Sequence, residues 1–360
     1  MQILIDATPL LLRSAGVKNY TYYWIQNLWQ QARNDRIMTL PALASLGPLD
    51  HEHSIAGPAR TFLHLGRVFA SNRAPSLPLQ RWTMPKADVF HVSNQIRFPP
   101  RGMKLTATIY DMTCRLMPEL HTAANIRAEE SLAKNVLGRA DRLIAISENS
   151  RLDAVRLLGL NAERIEVIYP GVPEVYFGAQ ARPSERPYVL YLGTIEPRKN
   201  VDTLLDAWAE FRFRGAFDLV VAGASGWAAE ETIHRLASRP PGVRYLGYVP
   251  EDELPGLMAG ASAFVYPSLY EGFGLPVAQA MAAGVPVITS NTSCLPEVAG
   301  EAALLVDPRS PAEIRTAMEN LLASSSLQEK LRRAGLERAR AEYRWEVCAR
   351  KSLQFFRKLG

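Results

Sequence analysis

The run Ala263-Phe-Val-Tyr-Pro-Ser268-Leu-Tyr-Glu271-Gly-Phe-Gly274-Leu-Pro-Val-Ala-Gln279-Ala-Met-Ala-Ala-Gly284-Val-Pro-Val-Ile-Thr289 reads as a strand, a glycine-rich loop, a helix, a glycine stop and a second strand. Pro276 suits a first helical position, where a missing N–H and a fixed φ do no harm. Gly284 sits where a residue of positive φ would close the helix. Unpaired N–H groups at such a helix start carry partial positive charge and attract phosphate. Glu271 stands on the loop just before that anion site. A carboxylate there would repel phosphate unless it faces a neutral group with hydroxyls to donate. The combination suits a nucleotide-activated sugar; an ordinary βαβ turn with an accidental Glu is the plainer alternative.

A chain of 360 residues has room for two α/β domains. Its 48% apolar and 21% charged residues are those of a globular protein. No run of 18 apolar residues occurs, so no spanning helix is expected. The opening MQILIDATPLLL lacks a basic segment before its apolar run and reads as a first strand, not a signal peptide. Cys114, Cys294 and Cys348 are scattered without disulfide or metal spacing, which fits a reducing cytoplasm and ordinary buried thiols.

Charge is unevenly spread. Residues 1–170 hold 20 Lys+Arg against 14 Asp+Glu, a net of +6, while the remainder holds 21 against 22, a net of −1. Between 55 and 105 the cations are Arg60, Arg67, Arg73, Arg81, Lys86, Arg97, Arg101 and Lys104, against Asp88 alone. Leu63, Leu65, Val68, Phe69, Leu77, Leu79 and Trp82 are interleaved with them. Such a stretch can rest on an anionic membrane surface or receive a lipid-linked phosphate; a solvated basic face is the plainer reading. Nucleic acid is not expected as a partner, because no recognition motif accompanies the charge.

Strand and helix patterns alternate along the chain. Strands are read at QILIDA, VFHVS (89–93), KLTATIYD (104–111), DRLIAIS (141–147) and RIEVIYPGV (164–172), with helices at 20–31, at 126–137, and from a Ser150 cap to about Leu158. Residues 173–187, with Pro173, Pro183 and Pro187, read as a linker. A second series follows: strands at 188–194, 218–223, 243–249, 263–268, 285–290 and 302–307, and helices at 200–213, 228–237, 251–259 and 276–283, with others from Pro311 onward. Regular alternation predicts parallel sheets covered on both faces. The expected organisation is a first domain at 1–172, the linker, a second domain at 188–340 and a terminal helical segment at 341–360.

Glu271, then Gly272-Phe273-Gly274-Leu275-Pro276, then a polar residue eight positions after the Glu, resembles the donor-site motif of the family 4 retaining glycosyltransferases. The second acidic residue of that motif is Gln279 here. The resemblance implies the GT-B fold: two Rossmann-like domains facing a cleft, the last helix returning to the first domain. Ligands of open parallel sheets bind beyond the carboxyl ends of the strands.

Further segments carry the same resemblance. In YVLYLGTIEPRKNVDTLLDAW (188–208), Lys199 matches the residue that meets the donor diphosphate, while Arg198 reads either as a donor contact or as a surface charge. Gly16, in Leu12-Arg-Ser-Ala-Gly16, matches a glycine that lets backbone approach the donor phosphate, with Ser14-Ala15 in place of the commoner second glycine. In the third segment Tyr110-Asp111 replaces the family's His-Asp, followed by Pro118 to His121 and by Ser147-Glu148. The resemblance places Tyr110, Asp111, His121 and Ser147 on the acceptor side, with Asp111 orienting the acceptor or a sugar hydroxyl; His121 also reads as a structural loop residue, and Ser147 as a helix cap. Gly223 and the backbone of Tyr248-Val249-Pro250 match the segment that pairs with the nucleotide base.

Taken together, the resemblance implies a diphosphate over the helix start at Leu275–Pro276, beside Gly274, and against Lys199, with Glu271 holding hydroxyls of the transferred sugar and Gln279 at the ribose. No cofactor and no metal are expected, since no Asp-x-Asp pair is present, and GDP-mannose is the first reading of the donor. The acceptor would be a glycan or a lipid-linked oligosaccharide, met in the cytoplasm or at the inner face of the cell membrane. A hydrolase needs two acids flanking the bond, and a nicotinamide dehydrogenase needs Gly-x-Gly-x-x-Gly after a strand; neither pattern is found. A non-catalytic sugar-nucleotide-binding subunit is the remaining rival.

Overall fold

The computed structural model describes residues 1–13, 16–74 and 84–360, in two compact units: Met1–Gly171 with Trp345–Gly360, and Val172–Arg344. Ser14, Ala15 and the Leu77, Leu79, Arg81 and Trp82 of the basic stretch lie outside the described residues.

In the first unit, strands β1 (Gln2–Asp6), β2 (Arg36–Leu40), β3 (Val89–Val92), β4 (Lys104–Ile109), β5 (Arg142–Ala145) and β6 (Ile165–Val167) form one parallel sheet in the order β2-β1-β3-β4-β5-β6. All four residues of β3 are buried, as a central parallel strand covered on both faces requires. Around the sheet lie α1 (Gly16–Gln31), α2 (Pro58–Arg73), α3 (Thr113–Leu116), α4 (Ala123–Leu132) and α5 (Glu148–Leu158).

Two of these elements escape the sequence pattern. Strand β2 is a five-residue edge strand whose apolar Ile37, Met38 and Leu40 are only half-buried and whose buried residue is Thr39, so it shows neither alternation nor a continuous apolar run. Helix α2 falls inside the basic stretch and turns apolar residues outward as well as inward, which erases a clean amphipathic period. Two expectations need correction. The cap of α5 is Ser147, whose Oγ accepts from the Ser150 amide at 3.0 Å, not Ser150 itself. The helix expected over 126–137 is α4, capped by Thr122, running on into a π-helical turn at Ala133–Leu137.

The second unit contains β7 (Tyr188–Leu192), β8 (Asp218–Ala222), β9 (Val243–Gly247), β10 (Ala263–Tyr266), β11 (Val287–Ser290) and β12 (Ala303–Val306), all parallel in the order β12-β11-β10-β7-β8-β9. Its helices are α6 (Val201–Ala209), α7 (Glu230–Ala237), α8 (Leu254–Ala259), α9 (Leu275–Ala282), α10 (Leu295–Ala299), α11 (Pro311–Ala323) and α12 (Ser325–Glu342). Helix α6 stops four residues short of the expected end at 213. Within 173–187, Tyr176 is buried and the Arg182 amide donates to the Gly256 carbonyl at 2.9 Å. Helix α13 (Trp345–Arg357) packs on α1 of the first unit, where Trp24 Nε1 donates to Ser352 Oγ at 2.9 Å and Tyr23 stacks on Trp345. Among the described residues no helix is long and apolar enough to cross a membrane.

One glycine of the second unit is forced by the fold. Gly223, just past β8, has φ of 150°, and a Cβ there would sit 1.8 Å from the Gly193 carbonyl oxygen. By contrast, a Cβ on Gly16 meets nothing within 4 Å. Gly223→Ala is therefore expected to cost about 3 kcal/mol or more of stability, while Gly16→Ala stays within about 0.5 kcal/mol of the parent. Denaturant melts of the two variants check this; equal midpoints would show that the Gly193–Gly223 approach is not fixed.

Candidate active site

The sheet order of the second unit reverses between β7 and β10: the chain moves outward from β7 to β8 and β9 on one side, and from β10 to β11 and β12 on the other. Loops leaving the carboxyl ends of two such strands diverge and leave a crevice. The loop after β7 ends in a 3-10 turn at Pro197–Lys199, followed by Asn200 in the left-handed region at φ 62°. Asn200 Nδ2 donates to the carbonyls of Pro267 and Pro308, at 2.9 and 2.6 Å. The Leu269 amide donates to the Arg198 carbonyl at 2.9 Å, and Ser268 Oγ reaches the same oxygen at 3.1 Å. Hydrogen bonds thus lace the two loops together.

Glu271 lies at the centre of this lacing, 7% exposed. Its Oε1 accepts from Lys199 Nζ at 2.6 Å, Ser268 Oγ at 2.7 Å and the Tyr266 hydroxyl at 2.9 Å. Its Oε2 pairs with Arg198 at 3.0 Å. Tyr266 also accepts from Lys199 Nζ at 2.7 Å, so one phenol bridges the ammonium and the carboxylate. Arg198 continues outward to Glu196 Oε1 and the Tyr270 carbonyl, both at 2.6 Å. Arg198 is therefore a structural member of the cluster, which excludes the reading as a loose surface charge. Burial on its own would raise the Glu271 pKa; Lys199 and Arg198 overcome it and hold the group at about 2. Burial lowers the Lys199 pKa, with Glu271 opposing.

Immediately after Glu271 the chain enters α9. Gly274 precedes it at φ 84°, and a Cβ there would come 2.6 Å from Leu295 Cδ2. Val277 and Ala278 both donate to the Gly274 carbonyl. The amides of Gly274 and Leu275 have no backbone acceptor among the described residues, and Pro276 has no amide to offer. This places a donor-rich helix start a few residues from a buried carboxylate and a buried ammonium. Gln279 is buried one turn into α9, 5% exposed.

The remaining expected residues are placed as follows. Gly223 makes room for the Gly193 backbone, so its close approach is to protein as the structure stands. Val249 follows β9 in a largely exposed segment with Tyr248. Gly16 is the exposed first residue of α1. Tyr110 follows β4, meets Tyr20 edge to face at 5.5 Å, and has its pKa raised by burial. Asp111 Oδ1 accepts from the amide and hydroxyl of Thr113, at 3.0 and 2.6 Å, and so opens α3. His121 ends the 3-10 turn Pro118–Leu120 and is half-buried. Ser147 is fully buried, and its hydroxyl both caps α5 and donates to Ser150 Oγ. The structure joins Glu271, Lys199 and Arg198 directly, and it ties the Tyr110 carbonyl to Ser150 at 3.1 Å, beside Ser147. Sequence reasoning passed over Tyr266 and Ser268. Tyr266 ends a fully buried strand and looks like core; its only signal is a polar atom at the carboxyl end of β10.

Residues 174–338 match the family described as glycosyl transferases group 1, and residues 15–175 match glycosyltransferase family 4. The O-antigen chain mannosyltransferase B of Escherichia coli is 34% identical over 299 residues, covering 78% of this chain and 77% of that protein. The GDP-mannose-dependent alpha-(1-6)-phosphatidylinositol monomannoside mannosyltransferase of Mycobacterium tuberculosis is 34% identical over 220 residues, 54% of this chain and 56% of that one. Among solved structures, sucrose-phosphate synthase from Thermosynechococcus elongatus superposes with a TM-score of 0.75 at 20% identity, covering 100% of this chain and 99% of that one. The last likeness establishes the fold.

The depressed Glu271 pKa carries a pH signature. A carboxyl whose folded pKa lies below its unfolded value of 4.5 contributes its full stabilisation above that value and loses it as pH falls toward about 2. The stability difference between the parent and Glu271→Gln should therefore be constant above about pH 5 and shrink steadily below it. Denaturant unfolding at several pH values reads this out; a difference that holds unchanged down to the acid limit would show that the carboxylate is not held by its two cations.

Proposed function

The chain belongs to the family 4 glycosyltransferases of glycosyl transferases group 1, with the GT-B fold, and we propose that it moves mannose from GDP-mannose to a hydroxyl of a glycan or lipid-linked oligosaccharide, with retention, in bacterial surface polysaccharide assembly. The observation that carries the site is the buried Glu271–Lys199–Arg198 cluster beside the start of α9. The choice of sugar and setting is supported by the names of the two mannosyltransferases, one an O-antigen enzyme and one GDP-mannose-dependent. Both are named as transferases, which favours turnover over a binding subunit.

In this reading the diphosphate lies against the amides of Gly274 and Leu275 and draws Lys199 Nζ toward itself. A phosphate oxygen competes with Glu271 for the ammonium, and Arg198 keeps the carboxylate from being left unpaired. Glu271 then accepts hydroxyls of the hexose and fixes its anomeric carbon, converting a bimolecular encounter into an oriented one. As the bond from that carbon to the phosphate oxygen breaks, the acceptor oxygen bonds to the carbon from the same face. The acceptor proton passes to the departing phosphate, releasing GDP. The Lys199 ammonium, turned onto the diphosphate, meets the charge that develops on the leaving group. Tyr110, Asp111, His121 and Ser147 belong to the acceptor side, with Asp111 orienting the hydroxyl. Val249 and Gly223 border the base, and Gly16 leaves open space for phosphate. The reaction runs at the cytoplasmic face of a membrane.

Lys199→Met should lower kcat by 10²–10³, about 3–4 kcal/mol of transition-state stabilisation, and Glu271→Ala should nearly abolish transfer. GDP release in the presence of acceptor, with the product's anomeric configuration read by NMR, tests both. Turnover that survives Glu271→Ala, or an inverted product, would end this reading.

Gln279 supplies a separate test. A carboxylate can accept from both ribose hydroxyls, whereas an amide accepts with one atom only. Gln279→Glu is expected to tighten GDP binding in calorimetry while leaving kcat within a few-fold of the parent; weaker binding would remove Gln279 from the ribose.

A further inference from the structure

From the end of β10 onward the backbone that leads to Glu271 has no ladder to join, so its carbonyls need other donors. Each of the six carbonyls from Tyr266 to Glu271 accepts from a side chain. Asn200 takes that of Pro267 at 2.9 Å, and Arg198 that of Tyr270 at 2.6 Å. The other four donors come from one short segment, Thr289-Ser-Asn-Thr-Ser-Cys294, which ends β11 and leads into α10. Thr289 Oγ1 donates to the Tyr266 carbonyl at 2.9 Å and Ser290 Oγ to that of Ser268 at 2.6 Å. Thr292 Oγ1 reaches Leu269 at 3.2 Å, and Cys294 Sγ reaches Glu271 at 3.1 Å. Ser293 Oγ accepts from the Glu271 amide at 3.1 Å.

The last two contacts fall on the same residue. Both backbone groups of Glu271 are held by sequence neighbours, Ser293 and Cys294, while its carboxylate is held by Lys199, Ser268, Tyr266 and Arg198. Cys294 is fully buried, and burial, then the charge of Glu271, pushes its thiol pKa up, so it stays a protonated donor. Ser293 has a φ of 54°, in the left-handed region that glycine would occupy at less cost. Four non-glycine residues among the described ones have positive φ, and two of them, Asn200 and Ser293, bond the backbone of this loop. Strain gathered at one place, where side-chain groups are held by it, points to a functional constraint.

We propose that Ser293 and Cys294 are positioning residues for Glu271: by gripping its amide and its carbonyl they fix where the carboxylate stands when the donor sugar binds. The inference rests on the proposed reading, in which Lys199 turns to the diphosphate and one of the carboxylate's anchors leaves. The grip on the backbone is untouched by that exchange. An acid that orients a sugar tolerates little displacement, since a shift of about 1 Å can lower a rate about a hundredfold.

Three variants test this, assayed by GDP release from GDP-mannose with an α-mannoside as acceptor. Cys294→Ala deletes a donor, Cys294→Ser keeps one, and Ser293→Gly deletes the hydroxyl while relaxing the backbone. Cys294→Ala and Ser293→Gly should each lower kcat by about tenfold or more, and Cys294→Ser should stay within about threefold of the parent. GDP affinity in calorimetry should be unchanged in all three, because the diphosphate contacts lie on α9 and Lys199. Ser293→Gly should melt close to the parent, because relief of the left-handed strain offsets the lost hydrogen bond. Parental kcat in Cys294→Ala or Ser293→Gly overturns the proposal. So does a fall in kcat that comes with an equal fall in GDP affinity, or with a lower melting temperature of Ser293→Gly. Glu271→Ala separates the two readings: if it still turns over, the donor reading fails, whereas an inactive Glu271→Ala beside fully active Ser293 and Cys294 variants removes only the positioning role.

Discussion

A carboxylate removed from water must be paired, and Glu271 is paired twice. That requirement governs the second unit. Lys199 and Arg198 sit on the loop after β7, Glu271 on the loop after β10, so the ion pairs can form only if β7 and β10 are neighbours. The parallel order supplies that adjacency and, because it reverses there, supplies the crevice as well. Asn200, strained into the left-handed region, then clamps both loops through two proline carbonyls. A cluster held this tightly is pre-organised, which is what a site for a charged leaving group needs.

The same cluster explains how binding can prepare chemistry without a large rearrangement. Glu196, Arg198, Lys199 and Glu271 carry formal charges that cancel. In the proposed reading a diphosphate at the start of α9 would break the balance, and the ammonium, a point charge on a flexible stem, is the cation able to turn toward it. Arg198, forked between Glu196, Glu271 and the Tyr270 carbonyl, is not. In that reading one cation would move and one stay, so the carboxylate would gain acceptor capacity for hydroxyls while remaining compensated. Tyr266 softens the exchange, because its hydroxyl touches both partners and can keep donating to Glu271 after Lys199 turns.

Much of this was legible in the chain. The alternation of apolar strands with helices foretold parallel sheets, since strands buried on both faces must be apolar throughout. Glu271, Lys199 and the start of α9 were legible because charge and glycine stand out against apolar surroundings. What escaped did so for physical reasons. Strand β2, Arg-Ile-Met-Thr-Leu at a sheet edge, is too short and irregular in pattern to mark itself. Tyr266 is written in the same letters as core aromatics, and only its position at a strand end gives its hydroxyl a role. Gly223 was legible only as a glycine of the base-side segment; that its Cβ position is filled by the Gly193 carbonyl was not, since a glycine announces close approach but not what approaches. Ser147 is the cap, as one reading of it had it, and not Ser150, because the helix begins a turn earlier, a choice between two serines that propensity does not resolve.

The amide at position 279 bears on the electrostatics of the same helix. Gln279 is buried one turn beyond Leu275, close to where α9 presents its unpaired amides. In the proposed reading a carboxylate there would accept from two ribose hydroxyls, but it would also set a second buried negative charge along the helix whose tip faces the diphosphate. In a weakly screened interior that repulsion reaches further than in water. The amide gives up one hydrogen bond and removes the repulsion. In the proposed reading the lost hydrogen bond outweighs the relieved repulsion, so Gln279 lowers donor affinity and leaves the reacting carbon untouched.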